Sequence, residues 1–288
     1  MNKNTHKKRI RFITDSTSDI PPELVDRWKI TVVPCFVNYN GHSYADDGKE
    51  LKREQFFAEL PNIYPFPTTA APPPGIAEPL IKSALSQADH IVALTVPASL
   101  SGVYNSVRLA CADIPPEQVT IIDSGQLCFA LGFQVVVGAQ VAEETGDLDQ
   151  VLSAIQCVRD STRLYVAAAT LEFLRRSGRV NALVASVGSL LQIKPFLEVR
   201  EGEVVLKERI RTFKSALQRL EELAREEAPL SKLAVLHINN EKDALELRDR
   251  LADIAPPDTV LSTISPTVGS HVGPGAVGVV TLKQNWRQ

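Results

Sequence analysis

The sequence has little of what marks several common classes of protein. Its 288 residues include four cysteines, none of them in a Cys-x-x-Cys pair or near paired histidines. This argues against a disulfide framework or a zinc site and favours buried thiols in a protein of the reducing cytoplasm. P-loop, His-Glu-x-x-His and EF-hand patterns are absent. The sequence therefore gives no support to a nucleotide or metal enzyme, and we expect no cofactor.

Charge of one sign is also scarce. The net charge is -3 and 23% of the residues are charged, so neither nucleic acid nor an anionic membrane surface is expected as a partner. The basic run Lys7, Lys8, Arg9 and Arg11 is typical of a solvated segment before a first strand. Because no apolar stretch follows this run, we expect no signal peptide.

One uncharged stretch, residues 124–142, approaches the length of a membrane span. It contains Gln126, Gln134 and Gln140, whose amide groups would be costly to place in hydrocarbon. We therefore predict a buried helix here and no stable membrane insertion.

The apolar pattern changes near residues 160–163. Before this point, predicted strands at 9–14, 31–37, 90–96 and 119–122 alternate with helices, which is typical of a parallel sheet covered by helices. After it, a hairpin around Glu201-Gly202, a helix over 182–191 and further strands indicate mixed pairing. We predict an α/β protein with a Rossmann-like parallel-sheet domain over 1–160 and an α+β mixed-sheet domain over 161–288.

A glycine-rich stretch near the C-terminus spells G-x-G-x-x-G with Gly273, Gly275 and Gly278. A dinucleotide fingerprint requires a helix starting at the third glycine. Here Val-Val-Thr-Leu follows, which is a strand pattern. The stretch is therefore interpreted as a turn in which glycine allows positive φ, with His271 at its entrance in either a structural or a functional role.

Ser101 follows a predicted strand and precedes a predicted helix, but it lacks the preceding glycine of a nucleophile elbow. Two interpretations remain open. Its hydroxyl could cap the helix, or it could help the helix N-terminus to hold a carboxylate or phosphate.

Short segments along the chain match a known pattern in sequence and order. They are Thr14-Asp15-Ser16-Thr17-Ser18-Asp19, the Thr69 loop running into Pro74-Gly75, Leu100-Ser101-Gly102-Val103-Tyr104, Ile122-Asp123-Ser124, Leu171-Glu172-Phe173-Leu174 with Ser177-Gly178-Arg179, Ile193-Lys194-Pro195, Arg211-Thr212 and His271-Val272-Gly273-Pro274-Gly275. Together, across residues 10–282, they resemble the DegV family of bacterial fatty-acid-binding proteins.

The resemblance implies a two-domain protein that holds one long-chain fatty acid between its domains. It implies presentation of the acyl carboxylate to a separate fatty acid kinase, with no catalysis by the binding protein itself. Carried over to this sequence, the family's binding residues are Thr69, Ser101, Gly102, Arg179, Arg211 and His271. Thr69 and Ser101 would hold the carboxylate, whereas the two arginines and the histidine would support it or face the kinase.

Two questions stay open from the sequence. The alternative function is a serine-dependent hydrolase or phosphotransferase that acts at Ser101 with His271 as the base. The apolar residues proposed to line the lipid site could equally form ordinary core. They are Phe129, Phe133 and Val137 of the long helix and Leu190, Ile193 and Phe196 of the second domain.

Overall fold

The computed structural model describes residues 7–179 and 193–287. The strands of these residues are β1 (Ile10–Asp15), β2 (Thr31–Val33), β3 (Phe36–Tyr39), β4 (His42–Ala45), β5 (Thr68–Ala70), β6 (His90–Thr95), β7 (Val119–Asp123), β8 (Thr162–Ala167), β9 (Lys194–Arg200), β10 (Glu203–Ile210), β11 (Leu230–His237), β12 (Val260–Thr263) and β13 (Val277–Lys283). Their helices are α1 (Pro22–Trp28), α2 (Arg53–Glu59), α3 (Pro74–Leu85), α4 (Val103–Ala110), α5 (Cys128–Thr145), α6 (Leu148–Ser161), α7 (Glu172–Ser177), α8 (Phe213–Glu226), α9 (Glu241–Arg250) and α10 (Pro266–Val272).

The first sheet has four parallel strands in the order β2-β1-β6-β7. Every residue of the central strand β6 is buried, as expected for a strand covered on both faces. The predicted parallel sheet is confirmed. The carboxyl ends of β1 and β6 lie at one edge, where Oδ2 of Asp15 accepts a hydrogen bond of 2.8 Å from the backbone N–H of Val96.

A small antiparallel sheet, β4-β3-β5, was not predicted. The sequence suggested one strand over 31–37, but this was wrong because Pro34 lacks an N–H group and interrupts pairing. The chain changes direction there, and Phe36 pairs with both Ala45 and Ala70 in the second sheet. Thr69 is thereby placed on a strand rather than in a loop.

The third sheet has six strands in the order β10-β9-β8-β13-β11-β12. Only β11 and β12 pair in parallel; the other neighbours are antiparallel. The mixed sheet and the hairpin around Glu201-Gly202 are confirmed. Gly202 has a φ of 80°, which suits glycine in a tight turn.

Helix α5 lies between the two large sheets and contacts β1 and β6 on one side and β8 and β13 on the other. It is buried around most of its circumference. Burial inside the protein, and not insertion into a membrane, therefore explains why the stretch 124–142 carries no charge. Gln134 is fully buried, and its amide donates to the carbonyl of Ser124 at 3.1 Å. No helix in the described part of the chain has the length and apolar character to cross a bilayer.

The proposed division at residue 160 falls in the last turn of α6. All strands of the first two sheets precede it and all strands of the six-stranded sheet follow it. Because α5 packs on both large sheets, the exact boundary stays a prediction. The helix predicted over 182–191 lies outside the described residues.

Candidate functional site

A cavity of about 350 Å³ lies where the two large sheets and α10 meet. Its volume is within the range of small-molecule sites, and most of its lining is apolar. The aliphatic lining residues are Ala70, Ala71, Val96, Leu100 and Leu127 from the first part of the chain and Val166, Leu174, Leu197, Val199, Val204, Ile264, Val268 and Val272 from the second.

The structure brings five of the six predicted site residues to this cavity: Thr69, Ser101, Gly102, Arg179 and His271. Thr69 lies on β5 and His271 lies in the last turn of α10. The Thr69 Oγ1 atom is 2.9 Å from Nε2 of His271. Two residues distant in sequence thus form a hydrogen-bonded pair in the cavity wall.

His271 is held in its neutral form. Burial, followed by the nearby positive charge of Arg179, lowers the pKa of His271 to about 4. Its Nδ1 atom is buried and has no partner among the described residues. An unpaired buried N–H group is rarer than an unpaired acceptor, which favours the proton on Nε2. His271 then donates to Thr69, and the Thr69 hydroxyl hydrogen is free to donate to a ligand.

Ser101 does not cap a helix. Gly102 occupies the N-cap position of α4, and no side chain caps that end. The Ser101 hydroxyl has no hydrogen-bond partner within residues 7–179 and 193–287, and it borders the cavity. The first-turn N–H groups of α4 also lack a side-chain acceptor. Of the two interpretations left open for Ser101, the ligand site agrees better with this arrangement.

The two arginines differ in location. Arg179 is exposed but lines the cavity, and its guanidinium donates to the backbone carbonyl of Ser177. Arg211 is exposed in the turn between β10 and α8 and does not line the cavity. The structure therefore separates Arg211 from the residues that could touch a ligand inside.

The proposed apolar lining is mostly core. Phe129 and Phe133 pack against each other at 4.8 Å between ring centroids, and with Val137 they lie in the main core cluster. Leu127 and Cys128, at the start of the same helix, line the cavity instead.

The lining residues predicted from the second domain that lie among the described residues do not line the cavity either. Phe196 packs on the opposite face of the six-stranded sheet, because neighbours in a strand alternate between faces and Leu197 points to the cavity. Ile193 does not line the cavity, and Leu190 lies outside the described residues.

The sequence-based prediction did not include a group of three buried aspartates beside the cavity. Asp15, Asp19 and Asp46 are each at most 3% exposed. Burial raises the pKa of all three, and that of Asp19 reaches about 7 despite the opposing charge of Arg53. The sequence separates Asp46 from the other two, so only the Asp-Ser turn at 14–19 gave a signal. No metal-binding group of side chains occurs among residues 7–179 and 193–287.

Contacts outside the cavity wall also join the two parts of the chain. At the β9–β10 hairpin tip, the Gly202 N–H donates to Gly125 O at 2.9 Å, and the Ser99 hydroxyl donates to Gly202 O. Elsewhere, the rings of Phe66 and Phe173 lie 5.3 Å apart.

The fold and the site define a class: α/β proteins with an apolar cavity between two large sheets and a small set of hydroxyl, imidazole and guanidinium groups in its wall. The family model described as "Uncharacterised protein, DegV family" matches residues 9–284. A DegV domain-containing protein of Streptomyces coelicolor is 34% identical over 278 residues, covering 95% of this chain and 98% of the relative. The chain therefore belongs to the DegV family.

Solved structures agree with this assignment. A DegV family protein of Thermus thermophilus, described for its fatty acid binding, is 30% identical with a TM-score of 0.87, covering 96% of this chain and 99% of that one. DegV of Bacillus subtilis, described as a fatty acid binding protein, is 27% identical with a TM-score of 0.84, covering 96% of this chain and 100% of its own. This chain thus shares their two-domain fold over nearly its whole length.

Proposed function

We propose that the protein binds one long-chain fatty acid in the cavity and presents its carboxylate to a separate fatty acid kinase. The observation that carries the proposal is the apolar cavity in whose wall the Thr69 and Ser101 hydroxyls are available as donors. Fatty acid binding by the relatives from Thermus thermophilus and Bacillus subtilis supports it. We call Thr69, Ser101, Gly102, Arg179 and His271 the headgroup site.

The energetics of burial favour an acyl chain. Each buried methylene contributes about 0.8 kcal/mol, so a chain of about 16 carbons supplies on the order of 11 kcal/mol before the costs of binding. The carboxylate needs several donors, because a buried charge without partners is very costly. Two hydroxyls, the free N–H groups at the start of α4 and the positive charge of Arg179 supply them.

The protein is proposed to have no catalytic activity of its own. A hydrolase would need His271 to act as a base toward Ser101, but Nε2 of His271 pairs with Thr69 instead. Its lowered pKa of about 4 also makes the imidazole a weak base. The kinase is therefore assigned the phosphoryl transfer, and the exposed Arg211 is assigned to the surface that contacts it.

The test is native mass spectrometry of the purified protein, followed by lipid extraction. One fatty acid per chain is the expected result, whereas protein isolated without lipid that also fails to take up added fatty acid would contradict the proposal. Turnover of acyl esters by the protein alone, abolished by Ser101→Ala, would instead support the hydrolase. For the kinase step, Arg211→Ala should retain fatty acid binding and reduce acyl phosphate formation.

A further inference from the structure

Helix α10 is held at both ends by the small sheet. At its first turn, Oδ2 of Asp46 accepts a 3.0 Å hydrogen bond from the backbone N–H of Thr267, and a second from the Thr267 hydroxyl. At its last turn, His271 pairs with Thr69. Asp46 follows β4 and Thr69 lies on β5, and both strands pair with β3. One sheet therefore fixes both the start and the end of the helix.

The helix depends on this outside support. It has seven residues, too few for a stable isolated helix. The side chain of its N-cap residue, Ser265, accepts only a long hydrogen bond of 3.5 Å from Val268 N–H. Carboxylates from elsewhere in the chain accept from the other N-terminal donors, since Asp19 accepts at 2.7 Å from Ser265 N–H. These carboxyl oxygens satisfy N–H groups that the first turn of the helix leaves without an intrahelical partner.

The position of Thr267 relative to His271 connects this support to the cavity. They are four residues apart in α10, so they lie on the same helix face, and both line the cavity. Asp46 itself is 3% exposed and receives a further hydrogen bond of 3.4 Å from the Ser16 hydroxyl. A carboxylate so restrained can transmit its own position through one helical turn to the imidazole.

We propose that Asp46 is a positioning residue of the headgroup site, which holds α10 so that His271 meets the Thr69 hydroxyl. Asp46 acts through Thr267 and has no contact with the ligand. The part that concerns fatty acid binding rests on the proposed function. The part that concerns the placement of His271 does not.

The first experiment compares Asp46→Asn with Asp47→Asn by NMR titration of the His271 ring in ligand-free protein. Both variants replace a carboxyl group by an amide, but Asp47 is exposed and its Oδ1 atom only accepts from the backbone N–H groups of Lys49 and Glu50 in a local turn. In Asp46→Asn, the pKa of His271 should rise from about 4 toward its ordinary value as the ring leaves its buried position. Asp47→Asn should titrate as the wild type does.

The second experiment is a double-mutant cycle on the binding of cis-parinaric acid, a fluorescent fatty acid. Asp46→Asn should weaken binding by about three- to tenfold, the usual effect of weakening one hydrogen bond of ordinary strength. In the His271→Ala background the same change should add little, because the residue that Asp46 positions is gone. Full additivity would assign Asp46 a general structural role and would overturn the proposal.

If Asp46→Asn does not fold, two variants of Thr267, one without and one with a hydroxyl, test the positioning role instead. Thr267→Val removes the hydroxyl donor to Asp46 with little change of shape and leaves the backbone N–H donor in place, so it should raise the pKa of His271. Thr267→Ser keeps the hydroxyl and should leave the pKa of His271 at its wild-type value. An unchanged His271 titration in both Asp46→Asn and Thr267→Val refutes the inference. Absence of parinarate binding by the wild type would refute the proposed function and leave the titration result standing.

Discussion

The Thr69 hydroxyl lies 2.9 Å from Nε2 of His271, although 202 residues separate them in sequence. The contact joins the small sheet to the helix that precedes the glycine-rich turn. With the proton on Nε2, the histidine orients the threonine oxygen and leaves the hydroxyl hydrogen for a ligand. This is the arrangement expected for a group that helps to bind a carboxylate and is not itself a base.

Removing either hydroxyl of the headgroup site should weaken fatty acid binding. Thr69→Ala and Ser101→Ala each delete a donor to a charged oxygen, which corresponds to a loss of about 1.5–3 kcal/mol. Thr68→Ala is the matched control, since Thr68 is the exposed neighbour on β5 and does not line the cavity. Equal affinities of all three variants in a fluorescent fatty acid displacement assay would remove Thr69 and Ser101 from the site.

A larger side chain in the cavity should shift the binding preference toward shorter fatty acids. Val204 and Val199 form a cross-strand pair that lines the cavity, so Val204→Phe fills part of its volume. Each methylene excluded costs about 0.8 kcal/mol, and affinity should fall most for the longest chains. Val205→Phe places the same ring on the other face of β10. A series of fatty acids of increasing length should show the change of preference in the first variant alone.

The contribution of His271 to stability should decrease on acidification. The folded-state pKa of about 4 lies below the ordinary value of 6.5. The contribution of the neutral imidazole to the free energy of unfolding is thus complete above pH 6.5. It is lost as the pH falls toward 4, and the loss is at most about 3 kcal/mol.

The comparison that isolates this contribution is the unfolding free energy of the wild type and His271→Gln between pH 7 and pH 4. The unfolding free energy of the wild type should decrease relative to that of His271→Gln as the pH falls. His42→Gln, at an exposed position in β4, leaves the buried imidazole in place and serves as the control. A difference that stays constant with pH would show that the ring is accessible to protons in the folded protein.

Adding a methyl group at Gly269 should displace α10. A Cβ atom at this position would collide with the ring of Phe57, which is itself almost fully buried. Overpacking of this kind costs about 1–3 kcal/mol. Gly75→Ala is the control, because a Cβ there would meet no atom within 4 Å. Thermal unfolding should show a lowered Tm for Gly269→Ala only, and its fatty acid affinity should fall as well.

Local patterns predicted the large elements well. The alternation of apolar strands and amphipathic helices gave the parallel sheet, and the Glu201-Gly202 turn gave the hairpin. The small sheet was missed because its strands have three or four residues and Pro34 falls between two apolar segments that read as one. The short α10 was missed for a related reason, since its glycine and β-branched residues have low helix propensity.

The sequence alone determined the family pattern, the parallel sheet and the chemical types available to the site, because these depend on local order and periodicity. It did not determine which face of a strand or helix meets the cavity. Phe196 and Phe129 became core, whereas their neighbours Leu197 and Cys128 line the cavity. Only the tertiary structure decided that His271 pairs with Thr69 and that Asp46 supports α10, because these contacts depend on how distant segments pack.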